Sequence, residues 1–185
     1  MEKLLSTAGR EVLIKAVAQA IPTYMMSCFK IPIAICDAIN KMVSNFWWGQ
    51  RDAERQLHWL SWENLCKSKD EGGVGFWDME AFNLALLAKQ GWRLIHGTNS
   101  LFFKVYKAKY FPNGNFLNAT LGSSPFFTWR SIMAARPVIK SGTRWRIGCG
   151  HEVCVCQHRW IPKPSTFKVV SPCPDGFSFN VVFAI

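Results

Sequence analysis

Acidic residues nearly vanish from the second part of this sequence. Residues 81–185 contain only Glu152 and Asp175 against thirteen lysines and arginines, a balance of +11. Residues 1–80 hold nine lysines and arginines against ten acids, so the whole net charge of +10 comes from the second part. This excludes the clustered carboxylates that two-metal polymerases and nucleases need, at least from the basic part. Acids of the first part fall in helix caps, turns and connectors. Long apolar runs are missing too. The longest uncharged stretch near the N-terminus, Ala16 to Phe29, contains Gln19, Pro22, Thr23 and Ser27. It is too short and too polar to span a bilayer. No secretory signal pattern opens the chain, so the seven cysteines are expected as reduced thiols. There is no G-x-x-x-x-G-K-[ST], no G-x-S-x-G and no H-E-x-x-H. GGVG (Gly72–Gly75) resembles a phosphate loop only in its glycines. His58 and His96 stand alone and read as structural or surface residues.

What is abundant is apolar and aromatic: 49% hydrophobic residues and nine tryptophans among 185 residues, enough for a packed core. Ser6 is placed to cap a first helix with Leu13, Ile14, Val17 and Ile21 on one side, ended by Pro22. Pro32 opens a second helix whose stripe is Ile35, Ile39, Met42, Val43 and Phe46, stopped by Gly49. The two read as a packed hairpin. Ser61 caps a short helix and Asp78 caps the strongest one, which runs to Gly97. That helix is apolar on two faces, one from Leu84, Leu87, Ala88, Gly91 and Ile95, the other from Phe82, Ala85, Leu86 and Trp92, so it is expected at the centre. Asn83 and Gln90 within it are expected to make structural hydrogen bonds. Ser100 caps LFFKVYKAKYF, and Thr128 opens WRSIMAARPVIK, interrupted at Pro137 and closed at Gly142.

From Thr143 the apolar period changes from helical to two. TRWRI and VCVCQ flank a glycine-containing turn and predict a small β-hairpin over about 143–157. The run CGHEVCVCQH (Cys149–His158) is dense in metal-binding residue types. On a strand, however, residues four apart are separated by roughly 13 Å. A zinc ion needs its ligands within about 2.3 Å of itself. No metal site is therefore expected at Cys149, Cys154, Cys156 and His158. The fold class is mainly α: a helical bundle with a small C-terminal β-hairpin, organised as 1–50, a helical hairpin; 51–142, a helical connection region; and 143–185, the β-hairpin and an irregular tail.

Several phrases together resemble one family. LSTAGREVLIKAVAQAIPTYMMSCFKIP, NFWWG, LHWLSWENLCKSKDEGGVGFWDMEAFNLALLAKQGWRL, KAKYFPNGNFLNATLGSSPFFTWRSI and GTRWRIGCGHEVCVCQHRWIPKPSTFKVVSP occur here in that order. They are similar to the polyproteins of plant non-LTR (LINE-type) retrotransposons, in the reverse transcriptase thumb and the connection that follows it. They also resemble short open reading frames of plant mitochondrial genomes derived from that region. The likeness runs from about Leu5 to about Pro174. It implies a thumb-like bundle without the fingers-and-palm aspartates of the polymerase and without the ribonuclease H domain, hence no catalysis. Relatives usually read R-I-G-N-G-x-x-V-x-V-W in the hairpin, so Cys149 and Cys156 stand where Asn and Trp are usual.

A thumb grips template–primer duplex through phosphates, a task for basic side chains that read no base. The residues expected to do so are Lys104, Lys107, Lys109, Arg144 and Arg146. Tyr106, Tyr110, Trp129, Trp145 and Trp160, lying among the basic residues, point the same way. The partner expected is nucleic acid, RNA or an RNA–DNA duplex, with no cofactor, no metal, no membrane and no small-molecule substrate. Two alternatives remain open: a helical interaction module whose basic part docks on an acidic protein, or a functionless remnant of a decayed element. The compartment expected is intracellular, and the residues do not distinguish nucleus from mitochondrion.

Overall fold

The structure is a computed structural model and describes residues 5–49, 57–97, 99–144, 159–161 and 167–168. Helix α1 (Thr7–Leu13) starts where the Ser6 hydroxyl accepts from the Gly9 N–H at 3.2 Å. It continues into a π-helical turn, Ile14–Ala18, in which the Gln19 N–H reaches back five residues to the Ile14 carbonyl at 2.9 Å. After Pro22 come α2 (Thr23–Cys28) and α3 (Ile33–Trp48). Gly49 closes α3 at φ +69°, a conformation other residues adopt only with strain. Then follow α4 (Trp62–Cys66), a 3₁₀ turn at Lys69–Glu71, and α5 (Met79–His96). The remaining helices are α6 (Leu101–Tyr110), α7 (Phe127–Ala134) and α8 (Arg136–Gly142), with a 3₁₀ turn at Phe116–Asn118 before α7. Ser61, Asp78 and Ser100 cap their helices as their residue types predict.

Helix α5 is central, and one residue per turn faces inward along it: Met79, Asn83, Leu87, Gly91 and Leu94 are buried. Its first half packs with Met26 and Cys36. Its second half meets Phe111, Phe116, Trp129, Ile132 and Ile139. A third cluster, Ile14, Val43, Leu65 and Phe76, lies under α1, α3 and α4. At Gly91 a Cβ would stand 2.5 Å from Ile139 Cδ1 and 3.0 Å from the buried Phe116 ring, so only a glycine lets the helices approach this closely. Trp129, fully buried, lies parallel to Tyr110 with ring centroids 4.4 Å apart.

Several expectations are corrected. The expected stripe of the first helix is exposed except at Ile14: Leu13, Val17 and Ile21 face outward. The π turn explains this, because one extra residue per turn shifts the register so that Gln19 takes the inward position after Ile14. On α3 the buried residues are Cys36, Val43 and Ser44, while Ile35 and Met42 are exposed. The two stripes face one another across an open apolar groove of about 470 Å³ between α1 and α3. On α5, Ala85 and Trp92 are exposed, so the second apolar face is only partly covered. The break before α8 falls at Ala135, and Pro137 sits in the first turn of α8, where its missing N–H costs nothing. The predicted β-hairpin is not supported: among the described residues there is no strand, and 145–158, which would form most of it, lie outside them. None of the described helices is long and apolar enough to cross a membrane. The chain divides into two compact units, residues 1–139 and 140–185.

Asn83 joins α5 to the link between α2 and α3. Its amide donates to the carbonyls of Met26 and Phe29 at 2.7 and 2.9 Å and accepts from the Ile31 N–H at 2.8 Å. Replacing it with alanine strands one buried and two partly buried backbone groups, each worth on the order of 1 kcal/mol. Asn83→Ala should lower unfolding free energy by roughly 3 kcal/mol, measured by urea denaturation. On the outside of α1, Glu11 holds Lys69 at 2.8 Å and Lys15 at 2.9 Å. Hydrogen bonds from Lys69, then Lys15, keep its carboxyl below the ordinary value of 4.5. Such a group stabilises the fold above its unfolded pKa and loses that contribution as pH falls through its folded pKa. Glu11→Gln should therefore cost about 0.5 kcal/mol at neutral pH. The difference between the two proteins should shrink steadily as pH drops below 4.5.

Candidate nucleic-acid interface

At 3.6 residues per turn, the three lysines of α6 do not share one face. Phe102, Phe103, Tyr106 and Tyr110 form its inner side, packed against the cluster around Trp129. Lys107 and Lys109 flank that side, and Lys104 points away from it. All three are exposed. The Lys107 ammonium lies 5.5 Å from the centre of the Phe103 ring. That of Lys109 lies 3.2 Å from the centre of the Phe126 ring and 5.5 Å from that of Tyr110. The ammonium groups themselves therefore lie against aromatic rings as cation–π contacts, on side chains that remain exposed. Lys104 has neither ring nor ion-pair partner among the described residues.

Basic residues are common here and their opposites are absent. Residues 81–144 contain nine lysines and arginines and no aspartate or glutamate. The lysine–carboxylate pairs among the described residues both fall on Glu11, far back in the chain. Some of the basic residues are structural. Arg136 donates to the carbonyl of Ala119, and Arg93 to Gln90 Oε1 at 3.0 Å with its guanidinium over Phe102. Arg159, in the second unit, donates to the carbonyls of Lys140 and Ser141 at 3.0 Å each. Arg144, also in that unit, is exposed and lies 4.5 Å from the centre of the Phe167 ring. Arg146, Trp145 and the whole Cys149–His158 run lie outside the described residues.

Sequence reasoning missed Arg130, which is exposed on α7 and unpaired among the described residues. It also passed over Phe126 and Phe127, exposed by 55% and 56% at the start of that helix. The signal was present as two adjacent phenylalanines after a Gly-Ser-Ser-Pro loop. Three of the aromatic residues cited instead serve the core: Trp129 is fully buried, and Tyr106 and Tyr110 are half-buried against it, while Trp160 is half-buried in the second unit and Trp145 lies outside the described residues.

The glycine-rich turn offers no anion cradle, because its N–H groups are already used. Those of Val74, Gly75 and Phe76 reach the Leu65 carbonyl, and that of Gly73 reaches Ser68. Among the described residues no three His, Cys, Asp or Glu side chains are grouped to hold a metal ion. The Cys66 thiol is pushed up to about 11 by burial and then by the Asp78 charge, and burial also raises Cys36. Both are neutral thiols at physiological pH and packed as small apolar groups.

With this geometry in hand, two similar proteins of Arabidopsis thaliana are informative. The chain is 38% identical over 143 residues to the "Uncharacterized mitochondrial protein AtMg00310", covering 77% of this chain and 93% of that protein. It is 33% identical over 172 residues to the "Putative ribonuclease H protein At1g65750". That match takes in 86% of this chain but only 26% of the much longer relative. No family model matches the chain, and no solved structure does.

Proposed function

Since the chain belongs to the same family as the short mitochondrial protein of Arabidopsis, which it matches over nearly its full length, we propose that it is a non-catalytic, retrotransposon-derived module that binds nucleic acid without sequence preference. The parent in this reading is a LINE-type reverse transcriptase, and the module corresponds to its thumb and connection. The match to a quarter of a much longer protein named for ribonuclease H supports such an origin. The mitochondrial name of the short relative favours that compartment over the nucleus.

One observation carries the binding activity: nine basic residues and no acid over residues 81–144, with Lys104, Lys107, Lys109 and Arg130 exposed in the first unit and Arg144 exposed in the second. A positive surface without internal counter-charges attracts a polyanion, and phosphate contacts read no sequence. A second reading has its own observation. The open groove between α1 and α3, lined by Leu13, Val17, Ile21, Met42 and Phe46, suits an apolar protein partner, which would make this a helical interaction module.

The first reading predicts binding to duplexes of equal length with equal affinity, falling steeply as salt rises. Lys104→Gln with Lys107→Gln should weaken binding to all of them alike and flatten the log–log salt slope by about two. Affinity independent of salt, or none in low salt from a folded chain, would favour the interaction module. The same purified protein should incorporate no nucleotide on a primed template with Mg²⁺ or Mn²⁺, and incorporation that survives stringent purification would contradict the non-catalytic assignment.

A further inference from the structure

Phe126 and Phe127, adjacent in sequence, each expose more than half of their surface, although the Phe126 ring meets Tyr110, which packs on the Trp129 core. The backbone that carries them is anchored. The Phe126 N–H donates to the Tyr110 hydroxyl at 2.9 Å, and the Tyr106 hydroxyl lies 2.8 Å from Thr128 Oγ1. Helix α6 thus fixes the start of α7 through two tyrosines whose rings themselves contact Trp129, Tyr110 in a parallel stack. Phe127 leans on the Phe29 ring, with centroids 5.5 Å apart. Cations stand beside the pair. Lys109 sits 3.2 Å over Phe126, and Arg130 follows at the three- and four-residue spacing that puts it on the same side of α7.

We propose that Phe126 and Phe127 form a stacking platform for unpaired bases, with Lys109 and Arg130 taking the adjoining phosphates, so that the favoured ligand is single-stranded RNA or DNA. The inference rests on the nucleic-acid reading above and narrows its ligand. An open aromatic ring offers nothing to a duplex, whose bases already stack on one another. It offers an unpaired base a flat partner of any sequence. Lysines and arginines alone would serve duplex and single strand alike; the exposed rings break that equivalence.

The test compares the full chain with a Phe126→Leu, Phe127→Leu double variant, using an oligouridylate and a mixed-sequence duplex of equal length as probes. Circular dichroism verifies that both proteins are folded. The substitution removes no charge, so the salt slope should stay unchanged. Affinity for the single strand should fall roughly tenfold or more, as loss of base stacking does, while duplex affinity holds. An equal loss on both probes, or no loss on either, overturns the platform while leaving the nucleic-acid reading intact. Failure of the unsubstituted protein to bind either probe in low salt overturns the nucleic-acid reading itself. As a measurement independent of any variant, 5-iodouridine in the single strand should photocrosslink to the peptide containing Phe126 and Phe127. Crosslinks found only on other peptides would contradict the proposal.

Discussion

One carboxamide, that of Asn83, ties the central helix to the link between α2 and α3, and the remaining architecture depends on that tie. A buried amide with one acceptor and two donors satisfied has a single orientation available. It therefore fixes both the rotation of α5 about its axis and its height against the end of α2. With the rotation set, Met79 faces Met26 and Cys36 at one end, while Gly91 opens the space for Phe116 and Ile139 at the other. A purely apolar residue at position 83 could bury as much surface but would allow the helix to slide or turn. The specificity comes from the direction of these hydrogen bonds.

Charge follows the same division of labour along the chain. The earlier helices carry acids that cap, as Asp78 does, or pair, as Glu11 does with Lys15 and Lys69. From the middle of α5 through α8 the described chain has no acid to pair with its basic residues. Folding itself gains nothing from that imbalance, since unpaired like charges on one surface repel. Aromatic rings beside Lys107 and Lys109 hold the ammonium groups in cation–π contact without neutralising their charges. The arrangement leaves cations available to a polyanion that the chain itself does not provide.

Much of the fold was legible in particular residues. Ser6, Ser61, Asp78 and Ser100 announce four helix starts, and each caps as expected because a short side-chain acceptor satisfies an N–H that the helix cannot. The two-faced apolar pattern of α5 marked the central helix, and Asn83 was rightly read as structural. The turn at Ile14–Ala18 was not legible, because a π turn leaves no residue-type signature and changes which side of a helix is buried. The exposure of Ile35 and Met42 was hidden for a related reason: periodicity shows that a stripe exists but not whether anything covers it. The charge count identified the basic stretch, yet it did not reveal that Lys104, Lys107 and Lys109 surround α6 and do not share one face. Trp129 and the tyrosines looked available for bases because composition does not reveal burial, whereas Phe126 and Phe127 are the rings that reach solvent.

The central claim is that the basic, acid-free stretch, and not the apolar groove, receives the ligand. Amide hydrogen exchange of the full chain, with and without saturating single-stranded RNA, tests it most directly. The account predicts slowed exchange in Lys104–Tyr110 and Phe126–Arg130, with α1 and α3 unaffected. Protection confined to the walls of the groove, Leu13–Ile21 and Ile39–Phe46, or no protection anywhere, would contradict it.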